Sequence, residues 1–292
     1  MALDTIETAT GRAEEVMGGA ATYAAIAASL FAKVRLCAIV GADFPAREME
    51  AMSARGIDLT GVERADGKTF RWSGVYTQNF LSRHTLDTQL NVFERFTPQL
   101  PEEYRQSEFV FLANINPELQ LTVLQQTKKP RLVLCDTMNL WIDTARDRVL
   151  EVFKQVDVCF MNDEEARQIC NTHHLVIAGK RLLTMGPKIV IIKKGEHGAL
   201  LFSQDDYFVA PSYPVEIIVD PTGAGDAFAG GFIGYLSQTG NLSPQNVRRA
   251  IVYGSIVASF TVESFSIDRL RSVTPGEMAE RYDRFRRMIE YH

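Results

Sequence analysis

Several absences narrow the possibilities before any motif is considered. The chain has no run of about 18 apolar residues, the length a helix needs to cross a bilayer, and no charged-then-apolar leader at its start. It therefore reads as a cytoplasmic protein with no membrane partner. Only four cysteines occur in 292 residues, and Cys37, Cys135, Cys159 and Cys170 are widely spaced, without a CxxC or a Cys/His cluster. That argues against a disulfide scaffold or a structural zinc site; three of the thiols sit in apolar strand-like runs and read as buried and reduced. Surplus positive charge is also missing. With 31 Lys and Arg against 36 Asp and Glu, the net charge is −5, which excludes charge-driven binding to nucleic acid or anionic lipid. The five histidines, at 84, 173, 174, 197 and 292, form no pattern with a carboxylate or cysteine.

What is present is a composition that is 46% hydrophobic, enough for one large α/β domain or two small ones. One stretch stands out, Asp220-Pro221-Thr222-Gly223-Ala224-Gly225-Asp226-Ala227-Phe228. Before it, residues 215–219 form a short β-branched run that reads as a strand; after it, 227–236 reads as a buried helix. The spacing therefore predicts a strand-to-helix turn. The first N–H groups of a helix lack internal partners and lie at the positive end of its dipole, so an anion binds there. Gly223 and Gly225 permit positive φ and a close approach to the main chain, and Ala224 is nearly as small. The stretch lacks the glycine that a dinucleotide fingerprint needs at position 228 and the Gly-Lys-Ser/Thr of a P-loop. Asp226 fits a general base that takes a proton from an attacking hydroxyl while the N–H groups of residues 223 to 225 receive charge on a phosphoryl group. Taken alone, it fits a helix-capping carboxylate equally well.

The nine residues resemble the C-terminal signature of the ribokinase, or PfkB, family of carbohydrate kinases. The resemblance implies that Asp226 is the catalytic base, that Gly223, Ala224 and Gly225 form the anion hole, and that Thr222 contacts the nucleotide. Other pieces follow in the family's order. Asp4 takes the place of an Asp that grips sugar hydroxyls at the end of a first strand, most of which is missing here, as if the true start lay upstream or the sheet began with a stub. Gly18-Gly19 opens an Ala-rich helix running to about Phe31 and resembles the family's substrate-facing glycine pair. Tyr23 stands where the family carries a sugar-binding Asn, and a phenol there still donates a bond or packs on a ring. Val34–Gly41 reads as a strand and Pro45 as the first residue of a helix, whereas residues 57–63 and 66–95 break the βα alternation. Residues 68–93 read as extended, with alternating strands at 69–76 and 85–93, like the β lid of the family.

Farther on, 109–112, 132–135 and 156–160 read as strands with Asn114, Asp136 and Asn162 at their ends, the edge where open parallel sheets bind ligands. Asn162-Asp163-Glu164-Glu165 matches the family's N-x-x-E, whose Glu, here Glu165, acts through water on Mg²⁺. Lys193-Lys194-Gly195-Glu196-His197-Gly198 resembles the nucleotide-binding turn, with a hairpin beyond it around Gln204-Asp205-Asp206. The glycine of the family's adenine and potassium loop is absent near 262–266, which argues against potassium dependence. Residues 245–261 and 275–292 read as helices.

The expectation is a ribokinase-like three-layer α/β/α domain over 1–292 with a small β-sheet lid formed by 5–17 and 66–95. The implied reaction transfers the γ-phosphoryl group of ATP, with Mg²⁺, to a hydroxyl of a sugar or sugar-like molecule. Asp4, Gly18, Gly19, Tyr23 and Asn114 face the acceptor; Asn162, Glu165, Lys193, Lys194, Gly195, Gly198 and Thr222 serve the nucleotide. Tyr23 with Trp72 gives a reason to consider a nucleoside kinase, and a non-catalytic sugar or nucleotide sensor is a further alternative. Arg71 in the lid suits a phosphorylated acceptor, and a homodimer through the lid is compatible with the family.

Overall fold

The computed structural model describes every residue except 79, 81, 205, 291 and 292. Asp205 of the expected hairpin and His292 therefore lie outside the described residues. The chain packs as two units, Met1–Phe96 with Tyr213–His292, and Thr97–Ser212.

The first unit begins with β1 (Ala2–Thr8), β2 (Gly11–Gly18), α1 (Ala20–Ala28), β3 (Val34–Gly41), α2 (Ala46–Ala54), β4 (Ile57–Ala65), β5 (Arg71–Tyr76) and β6 (Arg83–Gln89). Four of its strands form a sheet in the order β2-β1-β5-β6, in which β1 runs antiparallel to β2 and parallel to β5. Asp4 is thus in mid-strand, not at the end of a stub. The strand continues through Thr8 because Ile6 and Glu7 find partners on both sides, Ala13 and Arg12 in β2 and Gly74 and Val75 in β5. Strands β3 and β4 pair in parallel across α2, so residues 57–63 continue the βα alternation that they were expected to break. Pro45 is the N-cap of α2, one residue earlier than expected. The extended reading of 85–93 ends at Gln89, because Asn91 adopts φ 52 and starts a 3₁₀ turn over Asn91–Arg95. The first helix stops at Ala28, and the N–H groups of Leu30 and Phe31 bond three residues back, to Ala27 and Ala28, a 3₁₀ tightening that ends it short of Phe31.

The second unit contains β7 (Phe109–Leu112), α3 (Pro117–Gln126), β8 (Leu132–Cys135), α4 (Asn139–Thr144), α5 (Arg146–Phe153), β9 (Val158–Asn162), α6 (Asp163–Cys170), α7 (Leu175–Leu183), β10 (Ile189–Lys193), β11 (Ala199–Ser203) and β12 (Tyr207–Ala210). They build a six-stranded sheet in the order β12-β11-β10-β9-β8-β7, parallel from β7 to β10 and antiparallel at the β11–β12 edge. Residues 158–161 of β9 are completely buried, as a strand covered on both faces must be, which is why the run is continuously apolar and not alternating. Cys135 and Cys159 are buried in this sheet, Cys170 lies on α6 and Cys37 is half-buried on β3; all four are free thiols.

The chain then returns to the first unit with α8 (Ala224–Thr239), α9 (Pro244–Thr261), α10 (Asp268–Ser272) and α11 (Pro275–Ile289). Helices α1 and α8 approach closely because both are Ala/Gly-rich where they meet; a Cβ on Gly230 would fall 2.3 Å from the Ala24 carbonyl oxygen. Phe232 and Phe260 are buried in the same unit, each burial worth about 1.5–3 kcal/mol. Residues 215–219 are not a strand. The Val219 N–H donates to the Val262 carbonyl at 2.8 Å, and its carbonyl accepts from the hydroxyls of Thr8 and Thr10 at 2.9 and 3.0 Å. The polar groups of Val219 are thus satisfied outside any ladder, and the turn into α8 is a loop-to-helix turn. None of the described helices is long and apolar enough to cross a membrane.

Candidate active site

Two groups of the expected residues form, one in each unit. In the first unit Asp4 is only 4% exposed. The N–H of Gly19 donates to its carboxylate. Position 18 admits only glycine, since a Cβ there would fall 1.9 Å from Asp4 Oδ2. Asp4 Oδ1 has no hydrogen-bond partner among the described residues. Burial pushes the Asp4 pKa up to about 7, and Asp220 adds to the rise.

Tyr23 is 1% exposed, and its hydroxyl is the other buried side-chain atom without a partner among the described residues. Burial, reinforced by the negative field of Asp220, Asp4 and Asp226, holds its pKa well above that of an ordinary phenol. The hydroxyl therefore keeps its proton and remains an unused donor, close enough to feel the charge of Asp4, whose Oδ1 is an unused acceptor.

The signature residues are held around the start of α8. Gly223 is its N-cap with φ 74, and Asp226 lies in its first turn, half-buried. Of the two glycines expected at positive φ only Gly223 has it. Gly225 is helical with Ala224 because α8 already begins at 224, so at 225 the absent side chain matters and not the backbone angle. The Ala224 N–H is engaged by the Pro221 carbonyl at 3.2 Å. Asp220 is 1% exposed and fastened at both oxygens, Oδ1 accepting from the Thr222 N–H at 2.8 Å and Oδ2 from the Ser266 N–H at 3.4 Å. Burial raises its pKa against those bonds.

Two side chains that sequence reasoning missed complete this group. Thr222 Oγ1 donates to the Tyr76 hydroxyl at 3.1 Å, and Arg83, opposite Tyr76 in the β5–β6 register, bonds the same hydroxyl. Nothing in the sequence marked them beyond Tyr76 closing an alternating run. Arg71 does not serve as an open anion site. Its guanidinium is shared between Glu15 and Asp43, each at 2.8 Å.

In the second unit the strand ends carry the other group. Asn162 and Glu165 form a capping box at the start of α6: Asn162 Oδ1 accepts from the Glu165 N–H at 2.8 Å, while Glu165 Oε2 and Oε1 accept from the Asn162 N–H and Nδ2 at 2.7 and 2.9 Å. Lys193, in register with Asn162, pairs its ammonium with the buried Asp136 and lies 5.9 Å from the Phe160 ring. Its charge is thus already matched inside the unit. The Lys194 N–H closes the following turn onto the Gly198 carbonyl at 2.7 Å. Gly195 has φ 55 with open space around it, whereas a Cβ on Gly198 would fall 2.0 Å from the Ala210 carbonyl oxygen. Asn114 is occupied by its own unit, accepting from Trp141 Nε1 at 3.1 Å and donating to Met138 Sδ at 3.2 Å.

Among the described residues there is no cluster of three or more His, Cys, Asp or Glu side chains around a common point. Mg²⁺ does not need one, since it keeps most of its waters and takes few carboxylates. Each Glu165 oxygen accepts one bond from Asn162, and a carboxylate oxygen accepts more than one. The residue fits an acceptor for metal-bound water.

Comparison with known proteins identifies the family and the fold. The model of the pfkB family carbohydrate kinases matches residues 4–270. A cytidine kinase of Thermococcus kodakarensis is 33% identical over 80% of this chain and 84% of its own, and a nucleoside kinase of Methanothermobacter thermautotrophicus is 26% identical over 88% and 81%. The crystal structure of the nucleoside kinase of Methanocaldococcus jannaschii, an archaeal member of the ribokinase family, superposes with a TM-score of 0.76 at 20% identity, covering 97% of this chain and 95% of that one. The fold is therefore ribokinase-like, and the chain, an ATP-dependent kinase of a sugar or nucleoside, belongs to the PfkB family of carbohydrate kinases.

Proposed function

We propose that the protein is a nucleoside kinase that transfers the γ-phosphoryl group of ATP to a ribose hydroxyl, with Asp226 as general base. The observation that carries this reading is the pair of unpartnered buried atoms, Asp4 Oδ1 and the Tyr23 hydroxyl. Leaving such groups unpaired costs about 1–3 kcal/mol each. A bound hydroxyl offsets both, donating to the carboxylate and accepting from the phenol. Gly18 keeps the space beside the Asp4 carboxylate free of a side chain, and Gly19 contributes its N–H to that carboxylate. The acceptor class follows from the cytidine and nucleoside kinases to which the chain is similar.

In this reading Asp226 takes the proton of the attacking hydroxyl. The α8 N-terminus at Gly223 and Gly225 receives negative charge on the phosphoryl group in flight, while the Ala224 N–H is held by Pro221. In the second unit Asn162, Glu165, Lys194, Gly195 and Gly198 bind the nucleotide, and Lys193 supports them through Asp136. Mg²⁺, when bound through water to Glu165, supplies positive charge for the phosphates. The four-stranded sheet of β1, β2, β5 and β6 serves as a lid that limits hydrolysis of ATP by water. Leu86 is 65% exposed on its edge strand, which suits a homodimer through this sheet, and the ATP requirement suits the cytoplasm.

The test is a comparison of kcat/KM for cytidine, other nucleosides, ribose and ribose phosphates. A nucleoside preferred over ribose by about 100-fold or more is the expected result; discrimination of that size needs polar groups left unpaired by the wrong substrate. Ribose or a ribose phosphate as the best acceptor overturns the reading.

A further inference from the structure

The turn from which α8 starts is held by hydroxyl groups of the four-stranded sheet. Thr8, at the end of β1, and Thr10, in the turn to β2, both donate to the Val219 carbonyl, at 2.9 and 3.0 Å. Three residues farther on, Thr222 Oγ1 reaches the Tyr76 hydroxyl at the end of β5 at 3.1 Å. Between these attachments lies Asp220, whose carboxylate bonds the Thr222 N–H; directly after them comes Gly223, the N-cap of α8. The intervening backbone belongs to no helix or strand, so no ladder of its own fixes it. Its position depends on these bonds, on Asp220 and on Val262.

The same sheet carries Asp4 in β1, and β1 pairs directly with β5, Asp4 opposite Trp72 and Glu7 opposite Val75. Tyr76 follows immediately. Arg83 reaches the Tyr76 hydroxyl from β6 and also acts electrostatically on Asp4. One element therefore bears both the acceptor carboxylate and the hydroxyls that grip the turn below Asp226.

We propose that Tyr76 is a positioning residue for phosphoryl transfer: through its bond to Thr222, the four-stranded sheet sets the angle at which Gly223 to Asp226 meet the reacting groups, so that occupancy at Asp4 is transmitted to the transfer turn. This rests on the assignment of Asp226 and the α8 N-terminus as the transfer site. Tyr76 touches neither reacting atom in this scheme. It acts on kcat through the geometry of the turn, because a small displacement of positioned groups is costly in rate, and it leaves acceptor affinity to Asp4 and Tyr23.

The experiment is a double-mutant cycle on the full chain with the best acceptor of the panel above, using Tyr76→Phe and Thr222→Val, with hydrogen exchange followed across residues 219–226. Tyr76→Phe is expected to lower kcat about 10-fold with acceptor KM within twofold, to speed exchange in that segment, and to have no further effect on kcat in the Thr222→Val background. A purely structural role would lower thermal stability without that split between kcat and KM. The proposal is overturned if Tyr76→Phe leaves kcat and exchange unchanged, if it moves KM alone, or if the two substitutions multiply. Should Thr222→Val not fold or not turn over, Tyr76→Phe with the exchange measurement decides the matter in the same way. Asp226→Asn measured beside them separates the levels. If it retains full turnover, the transfer site itself is misassigned; if it is inactive while Tyr76→Phe matches the parent, only the positioning role falls.

Discussion

The ring of Tyr23 lies so close to Gly223 that a Cβ at 223 would fall 2.3 Å from it. A residue of α1 thus forms the floor of the turn that opens α8, and the turn is glycine for two independent reasons, the contact and a φ of 74. Gly223→Ala is expected to cost at least the 1–2 kcal/mol or so of a left-handed non-glycine residue, and to lower kcat more than 10-fold by displacing the turn. Thermal melts and steady-state kinetics check both; an alanine variant with parental stability and turnover would contradict the contact.

Removing only the Tyr23 hydroxyl should separate packing from binding. Tyr23→Phe keeps the ring against Gly223 and deletes a buried donor with no protein partner. Stability without acceptor should stay level or rise by about 1 kcal/mol, while acceptor KM rises several-fold. A loss of stability with unchanged KM would show that the hydroxyl serves the fold.

Asp4 makes acceptor use pH-dependent. Its pKa is raised to about 7 by burial, so between its unfolded value and 7 the unfolded chain binds fewer protons than the folded one. The contribution of Asp4 to stability is therefore most favourable in acid and declines as pH rises to about 7, where the folded group also ionises. Asp4→Asn should raise the melting temperature at pH 8 and change it little at pH 4. In the parent, kcat/KM for the acceptor should climb through about pH 7 as the carboxylate becomes an acceptor of hydroxyl bonds, a limb that the Asn variant lacks.

Lys193 was expected at the nucleotide, yet its ammonium is paired with Asp136, whose side chain is 4% exposed. Lys193→Met leaves that carboxylate buried without its cation, held by the Thr137 N–H, and should cost about 3–5 kcal/mol of stability. Adding Asp136→Asn should recover part of the loss. A Lys193→Met protein of parental stability but weakened ATP affinity would return the residue to phosphate binding.

The parts of the fold that were legible in the sequence were those with a strong local signal. Residues 156–160 read as a strand, found at Val158–Asn162, because a strand covered on both faces is largely apolar, and Gly223 stood out because a helix entry with this geometry tolerates little else. The errors arose where tertiary partners decided the outcome. The β-branched run 215–219 has strand propensity, but its last residue, Val219, bonds Thr8, Thr10 and Val262 from distant parts of the chain. Asp4 looked like the end of a truncated strand because its partners in β2 and β5 lie up to about 70 residues away. Tyr76 and Arg83 carry no motif at all; only the β5–β6 register brings them to Thr222.

The most direct test of the account is ADP release with Mg²⁺-ATP and a nucleoside acceptor, measured for the parent and for Asp226→Asn. The account predicts acceptor-dependent turnover that falls roughly 10²–10⁴-fold in the variant, the contribution of a general base, with the fold and ATP binding retained. Turnover that survives the substitution intact would contradict it.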